Sequence, residues 1–175
     1  GTEAAVPKEI IQSPSMNMST GTHFSLLLGP ALDGVIEYCS SSQPPSIQLF
    51  AVQTLESLLN ALENILLTSP FSTSKNGNDH DRDSRLELRR LLGISTVLME
   101  VWRHPSKLVN HVASSVYQRL LDTLALYIKC KGIKNSDKVV WAPALADTLK
   151  QPLQHRSRYH AITLLVPRVG AQSIV

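Results

Sequence analysis

Ile47-Gln48-Leu49-Phe50-Ala51-Val52-Gln53-Thr54-Leu55-Glu56-Ser57-Leu58-Leu59-Asn60-Ala61-Leu62-Glu63-Asn64-Ile65-Leu66 is the stretch from which the fold can be read. Its apolar residues Ile47, Ala51, Leu55, Leu58, Leu59, Leu62, Ile65 and Leu66 follow the i, i+4, i+8, i+11 progression that gathers side chains on one face of a helix. A half-buried strand would instead alternate at every second residue. Pro44-Pro45-Ser46 is the turn through which this helix is entered, and Ser69-Pro70 sets its end near Thr68.

Towards the N-terminus, helical signals run from Phe24 to Cys39 and are interrupted at Gly29-Pro30. A proline inside a helix removes one backbone bond and clashes with the preceding turn, so a kink or a restart is expected there. Residues 1–21 are polar, hold Pro7, Pro14 and Gly21 without a sustained period, and read as an irregular lead-in. On the other side, residues 69–84 are rich in Ser, Asn, Asp and Gly and nearly devoid of apolar side chains. Too little burial is available there to offset chain entropy, so a mobile insertion is expected.

The pattern then resumes. Arg85 to Arg103 carries Leu88, Leu91, Leu92, Ser95, Leu98, Met99 and Trp102 at helical spacing. Pro105-Ser106 opens a further helix through Lys131, with the stripe Val109, Val112, Ala113, Val116, Leu120, Leu124 and Tyr127. At 100° per residue His111 falls on its opposite, polar face with Ser115, Gln118 and Asp122. Residues 47–51 and 58–59 can be laid over 109–113 and 120–121 at a constant offset of 62, each helix being entered through a Pro-Ser turn. A third pair is expected from Trp141 to Lys150, with Pro143 in its first turn, and from Arg158 to about Val169, where Pro167 bends or ends it. The expected class is therefore all-α: stacked antiparallel helix pairs at about 22–68, 85–133 and 141–170, a HEAT- or armadillo-like solenoid segment spanning 22–175 with an insertion at 69–84.

Composition agrees with a folded segment, at 43% hydrophobic and 18% charged residues. A start at Gly1 and an end at Ser173-Ile174-Val175 raise the expectation that both termini are cuts within a longer protein. The two cysteines, Cys39 and Cys130, form no Cys-x-x-Cys pair and read as free buried thiols, which together with apolar runs far below spanning length points to a cytoplasmic setting. Net charge is +3, but residues 129–168 hold eight Lys or Arg against Asp137 and Asp147, leaving the remainder at −3. Such an edge suits a polyanion, since Lys and Arg contacts to phosphates supply most sequence-independent nucleic-acid affinity; solvated loops and helix ends are the alternative. Lys129, Lys131, Lys134, Arg156 and Arg158 are the candidate contacts to such a polyanion.

No catalytic constellation is legible. Asp79-His80-Asp81-Arg82-Asp83 has the alternating acids of a calcium loop, but Ser84 replaces its turn glycine and Arg90 its bidentate glutamate. His104 and His111 lie seven residues apart, not one helical turn apart with a Glu between, and His104 before Pro105 reads as a turn residue bonded to nearby backbone. There is no Gly-x-Ser-x-Gly elbow, no Gly-rich phosphate loop and no strand–helix alternation to bind a methyl donor. Neither a metal nor a cofactor is expected, and an independent enzyme has little support.

Two phrases carry a resemblance. Val101-Trp102-Arg103-His104-Pro105 leading to Val109-Asn110-His111, followed by His155-Arg156-Ser157-Arg158-Tyr159 leading to Gly170, resembles the thyroid adenoma-associated protein family. Trp102, His104, Pro105, Val109 and His111 match its first phrase, and Arg158, Tyr159 and Gly170 its second. Asn110 departs from the arginine that relatives place before the second histidine. The resemblance implies a slice of a very long α-solenoid that continues past both ends. It also implies a non-catalytic regulatory subunit of an FtsJ-type methyltransferase, which modifies the ribose 2′-oxygen at nucleotide 32 of the tRNA anticodon loop. The expected partners are then that enzyme, tRNA and the rest of the same chain, with no membrane insertion. A helical-repeat scaffold for protein contacts without RNA is the other reading.

Overall fold

The computed structural model describes residues 29–68 and 79–169, with only the backbone described for 79–84. Within them every regular element is helical: α1 (Gly29–Tyr38), α2 (Pro45–Thr68), α3 (Asp79–Val101), α4 (Lys107–Lys131), α5 (Ala142–Leu149) and α6 (Arg156–Leu165). A π-helical turn at Asp137–Trp141 leads directly into α5, and a 3-10 turn at Val166–Arg168 follows α6. No helix of the described residues is long and apolar enough to cross a membrane.

The breakers act where their chemistry requires. Pro30 stands in the first turn of α1, where its missing N–H interrupts no intrahelical bond. Pro143 is the second residue of α5, at the point where the π-helical turn passes into the α-helix. At the end of α4, Gly132 adopts φ 61° and ψ 34°, with its N–H on the Lys129 carbonyl and the Ile133 N–H on the Ile128 carbonyl. This left-handed cap satisfies carbonyls the helix leaves open. The α-helix begun at Arg156 ends at Leu165, and Pro167 sits in the tighter turn beyond it. α3 starts at Asp79, six residues before the expected boundary, because propagating a formed helix adds one backbone bond per residue fixed. The start at Asp79 places the acidic run 79–83 in helical backbone; the rest of the expected insertion, residues 69–78, lies outside the described residues, as do the lead-in and Gly170.

Helices α1 and α2 pack as one hairpin and α3 and α4 as a second, while α1 also meets α3 and α2 meets α4 most extensively of all. The second hairpin therefore lies beside the first with like helices adjacent. α5 packs on α6. One core runs through all of them, with Leu55, Leu59, Ile94, Leu98, Val116, Leu120, Leu124, Ala161 and Leu165 wholly buried.

The offset of 62 extends to the chemistry of the turns. The Gln48 amide donates to the Ser40 carbonyl at 2.8 Å, and the Asn110 amide donates to the Trp102 carbonyl. Both donor and acceptor are displaced by that same offset. Buried pairs keep it as well: Leu32 and Ile94, Cys39 and Val101, Ala51 and Ala113, Leu59 and Leu121. This clamp also corrects the expected face of α2. Ile47 is 40% exposed whereas Gln48 and Val52 are buried, because the Gln48 amide must face the turn it holds.

Polar seams add to the apolar joint. Arg119 of α4 reaches Asn60, Glu56 and Glu63 of α2, and the Thr123 hydroxyl donates to Glu63 at 3.0 Å. Between α1 and α3, Arg90 pairs with Asp33 at 3.4 Å and its guanidinium lies over Gly29, where a β-carbon would come within 2.6 Å of it. Tyr127 donates at 2.6 Å to Glu87, a carboxylate buried in the interior of the second hairpin.

Candidate functional site

Trp102 follows the last residue of α3, and its ring is 5% exposed. The ring meets Tyr117 of α4 at 5.4 Å and His160 of α6 edge-on at 5.3 Å, so one side chain joins three helices. Around it the two motif phrases come together although some fifty residues separate them. Trp102, His104 and Pro105 from the α3–α4 turn, Lys107, Asn110 and Ser114 from α4, and Arg156, Ser157 and His160 from α6 line an open cleft of about 410 Å³.

The turn is fixed from within. His104 Nδ1 accepts the Ser106 N–H at 3.0 Å, and Asn110 holds the Trp102 carbonyl. The Asn110 side chain is thus engaged with backbone. Val109 is buried and His111 is exposed, and neither lines the cleft. Tyr159 is half-exposed, with the Arg158 guanidinium 5.4 Å from its ring centre.

The candidate RNA contacts do not form one surface. Arg158 is only 9% exposed: Nη2 donates to the Leu149 carbonyl at the end of α5 at 3.0 Å, and Nε is buried without a partner. Its expected phosphate contact is therefore replaced by an inward one, since the α6 face that carries it packs on α5. Arg156 is exposed at the cleft. Lys129 and Lys131 lie at the far end of α4 and Lys134 just beyond it, Lys129 being about 28 Å from Asn110 at 1.5 Å per residue. Lys131 Nζ stands 5.8 Å from the Tyr127 ring, and Lys129 and Lys131 occupy the last helical turn, where the macrodipole favours cations.

Two more cations of the basic stretch are engaged within the chain. Arg168 bonds Asp122 and the Leu164 carbonyl and covers the Trp141 ring, tying the end of α6 to α4. Lys150 pairs with Asp147 at 2.8 Å. Deeper in, the Tyr117 hydroxyl is buried beside the Ser95 and Thr148 hydroxyls without a bond of good geometry, and burial pushes its pKa up. Burial likewise pushes the Cys39 thiol up to about 11. Cys130 is half-buried, its thiol 3.8 Å from the Leu66 carbonyl. Among the described residues no three His, Cys, Asp or Glu side chains gather as metal ligands.

Sequence reasoning missed Lys107, Ser114, Ser157 and His160 as neighbours of the cleft. Ser157 had one available signal, its place inside the second motif phrase, which His160 directly follows. No family model, curated protein or solved structure matches this chain.

Proposed function

We propose that this chain is a segment of a non-catalytic, HEAT- or armadillo-like solenoid that acts as the regulatory partner of an FtsJ-type methyltransferase. The reaction is 2′-O-ribose methylation of nucleotide 32 in the tRNA anticodon loop, and the chemistry belongs to the enzyme. The observation that carries this reading is the meeting of the two motif phrases around Trp102, His160 and one cleft. Residues that resemble a family only as a pair thus have a shared structural reason to occur together. Support for the solenoid comes from like-to-like packing of the two hairpins and from the repeated amide clamp at Gln48 and Asn110.

In this reading the solenoid acts in the cytoplasm, holds tRNA by its backbone and presents the anticodon loop. The exposed Lys129 and Lys134, with the half-buried Lys131, form one phosphate-facing rim. A protein-only scaffold is the second reading, favoured by the internal use of Arg158, Arg168 and Lys150. Affinity purification of the full-length protein, with and without RNase, tests both. Recovery of an FtsJ-type methyltransferase together with tRNA is expected. Recovery of other proteins alone, with neither tRNA nor methyltransferase, overturns the first reading in favour of the second.

A further inference from the structure

The cleft beside Trp102 has a character that the scaffold reading does not use. Two helices begin at it: Lys107 and Asn110 belong to the first turn of α4, and Arg156 and Ser157 to the first turn of α6. A helix start carries backbone N–H groups without intrahelical acceptors and a partial positive charge. Such ends are ordinarily served by a side-chain cap or by acidic residues in the first turn. Here the N-cap residues Ser106 and His155 make no side-chain cap bond, and neither first turn holds an acid. None of the residues lining the cleft is acidic.

A further observation points independently to a ligand. Ser157 is only 6% exposed, it lines the cleft, and its hydroxyl has no hydrogen-bond partner. A buried hydroxyl without a partner is destabilising, so an acceptor within its reach is stabilised there. Arg156 is exposed and Lys107 likewise, and neither makes an ion pair among the described residues.

We propose that this cleft is a phosphate-binding site. Arg156 and Lys107 supply the charge, the enclosed Ser157 hydroxyl donates to one phosphate oxygen after turning about its Cα–Cβ bond into the cleft, and free N–H groups of the two helix starts complete the donor set. Phosphate fits this set because it offers several strong acceptor oxygens on a compact anion, while a carboxylate offers only two. The proposal does not rest on the methyltransferase reading. It places the anion about 28 Å along α4 from the lysine rim, so the two basic regions are separately testable.

The experiment is calorimetric titration of inorganic phosphate into the full chain, with circular dichroism melts reporting folding of each variant. One saturable site is expected. Arg156→Gln/Lys107→Gln should weaken it at least tenfold, Ser157→Ala about threefold to tenfold, and Lys129→Gln/Lys134→Gln not at all. The paired surface variant keeps the test sound if Ser157→Ala melts early. Absence of saturable binding overturns the proposal, as does binding that survives Arg156→Gln/Lys107→Gln. Titration of a short single-stranded RNA then identifies the source of the phosphate. Competition by inorganic phosphate, with loss in the same paired variant, assigns the site to a backbone phosphodiester. RNA affinity indifferent to both, with phosphate binding intact, assigns it to free phosphate.

Discussion

Replacing Trp102 with alanine tests how firmly its ring keys the third helix pair to the second. The ring is almost wholly buried and touches both Tyr117 and His160. Burying about 150–250 Å² at about 25 cal/mol per Å² gives about 4–6 kcal/mol as an upper figure. Truncation of buried Trp in cores costs about 3–5 kcal/mol, and the half-open cleft beside this ring favours the lower part of that range. The clamp survives, because Asn110 bonds the Trp102 backbone carbonyl and not its ring. Guanidinium unfolding of the full chain, followed by Trp141 fluorescence and far-ultraviolet circular dichroism, should therefore show a loss of about 3 kcal/mol or more. Trp102→Phe should lose roughly half as much, since most of the apolar contact remains. A loss below about 1 kcal/mol for Trp102→Ala would refute the keystone argument.

Arg158→Met should lower stability by about 1–2 kcal/mol, the charge-assisted bond to Leu149 being partly offset by relief of the partnerless Nε, and should leave RNA affinity unchanged. Unaltered stability with weakened RNA binding would restore its phosphate contact. Arg119→Ala removes the seam to Asn60, Glu56 and Glu63; because that guanidinium is 39% exposed, the cost should be about 0.5–1 kcal/mol and shrink between low salt and 1 M NaCl, with a salt-independent loss counting against it. Cys39 titrates near 9.0 when unfolded and about 11 when folded, so the folded state holds its proton longer. Stability from this group is full below pH 9 and falls as pH rises to 11, by up to about 1.4 kcal/mol per pH unit. Unfolding curves across that window should be flatter for Cys39→Ala, and equal slopes would contradict the burial of the thiol.

Helix type and most boundaries were legible because periodicity and Pro-Ser turns act locally. What escaped depends on contacts between distant segments. Gln48 faces inward and Ile47 outward because the preceding turn needs an amide donor, which hydropathy cannot register. Glu87 is buried because Tyr127, forty residues later, supplies a hydroxyl. Arg158 looked like a rim cation from its neighbours in sequence, yet α6 turns it onto the end of α5. The basic stretch is continuous in sequence but divided in space by the length of α4, so charge density along the chain overstated one surface. The cleft was visible only as two phrases some fifty residues apart, which the fold brings together. The unsatisfied Ser157 hydroxyl left no mark in the sequence at all, because it is a property of what surrounds it.

The proposed partnership is tested most directly by mass spectrometry of tRNA from cells lacking the full-length protein, read at the ribose of nucleotide 32. Loss of the 2′-O-methyl group there, with other ribose methylations retained and recovery on re-expression, is the predicted result. Unchanged methylation at nucleotide 32 would contradict the assignment.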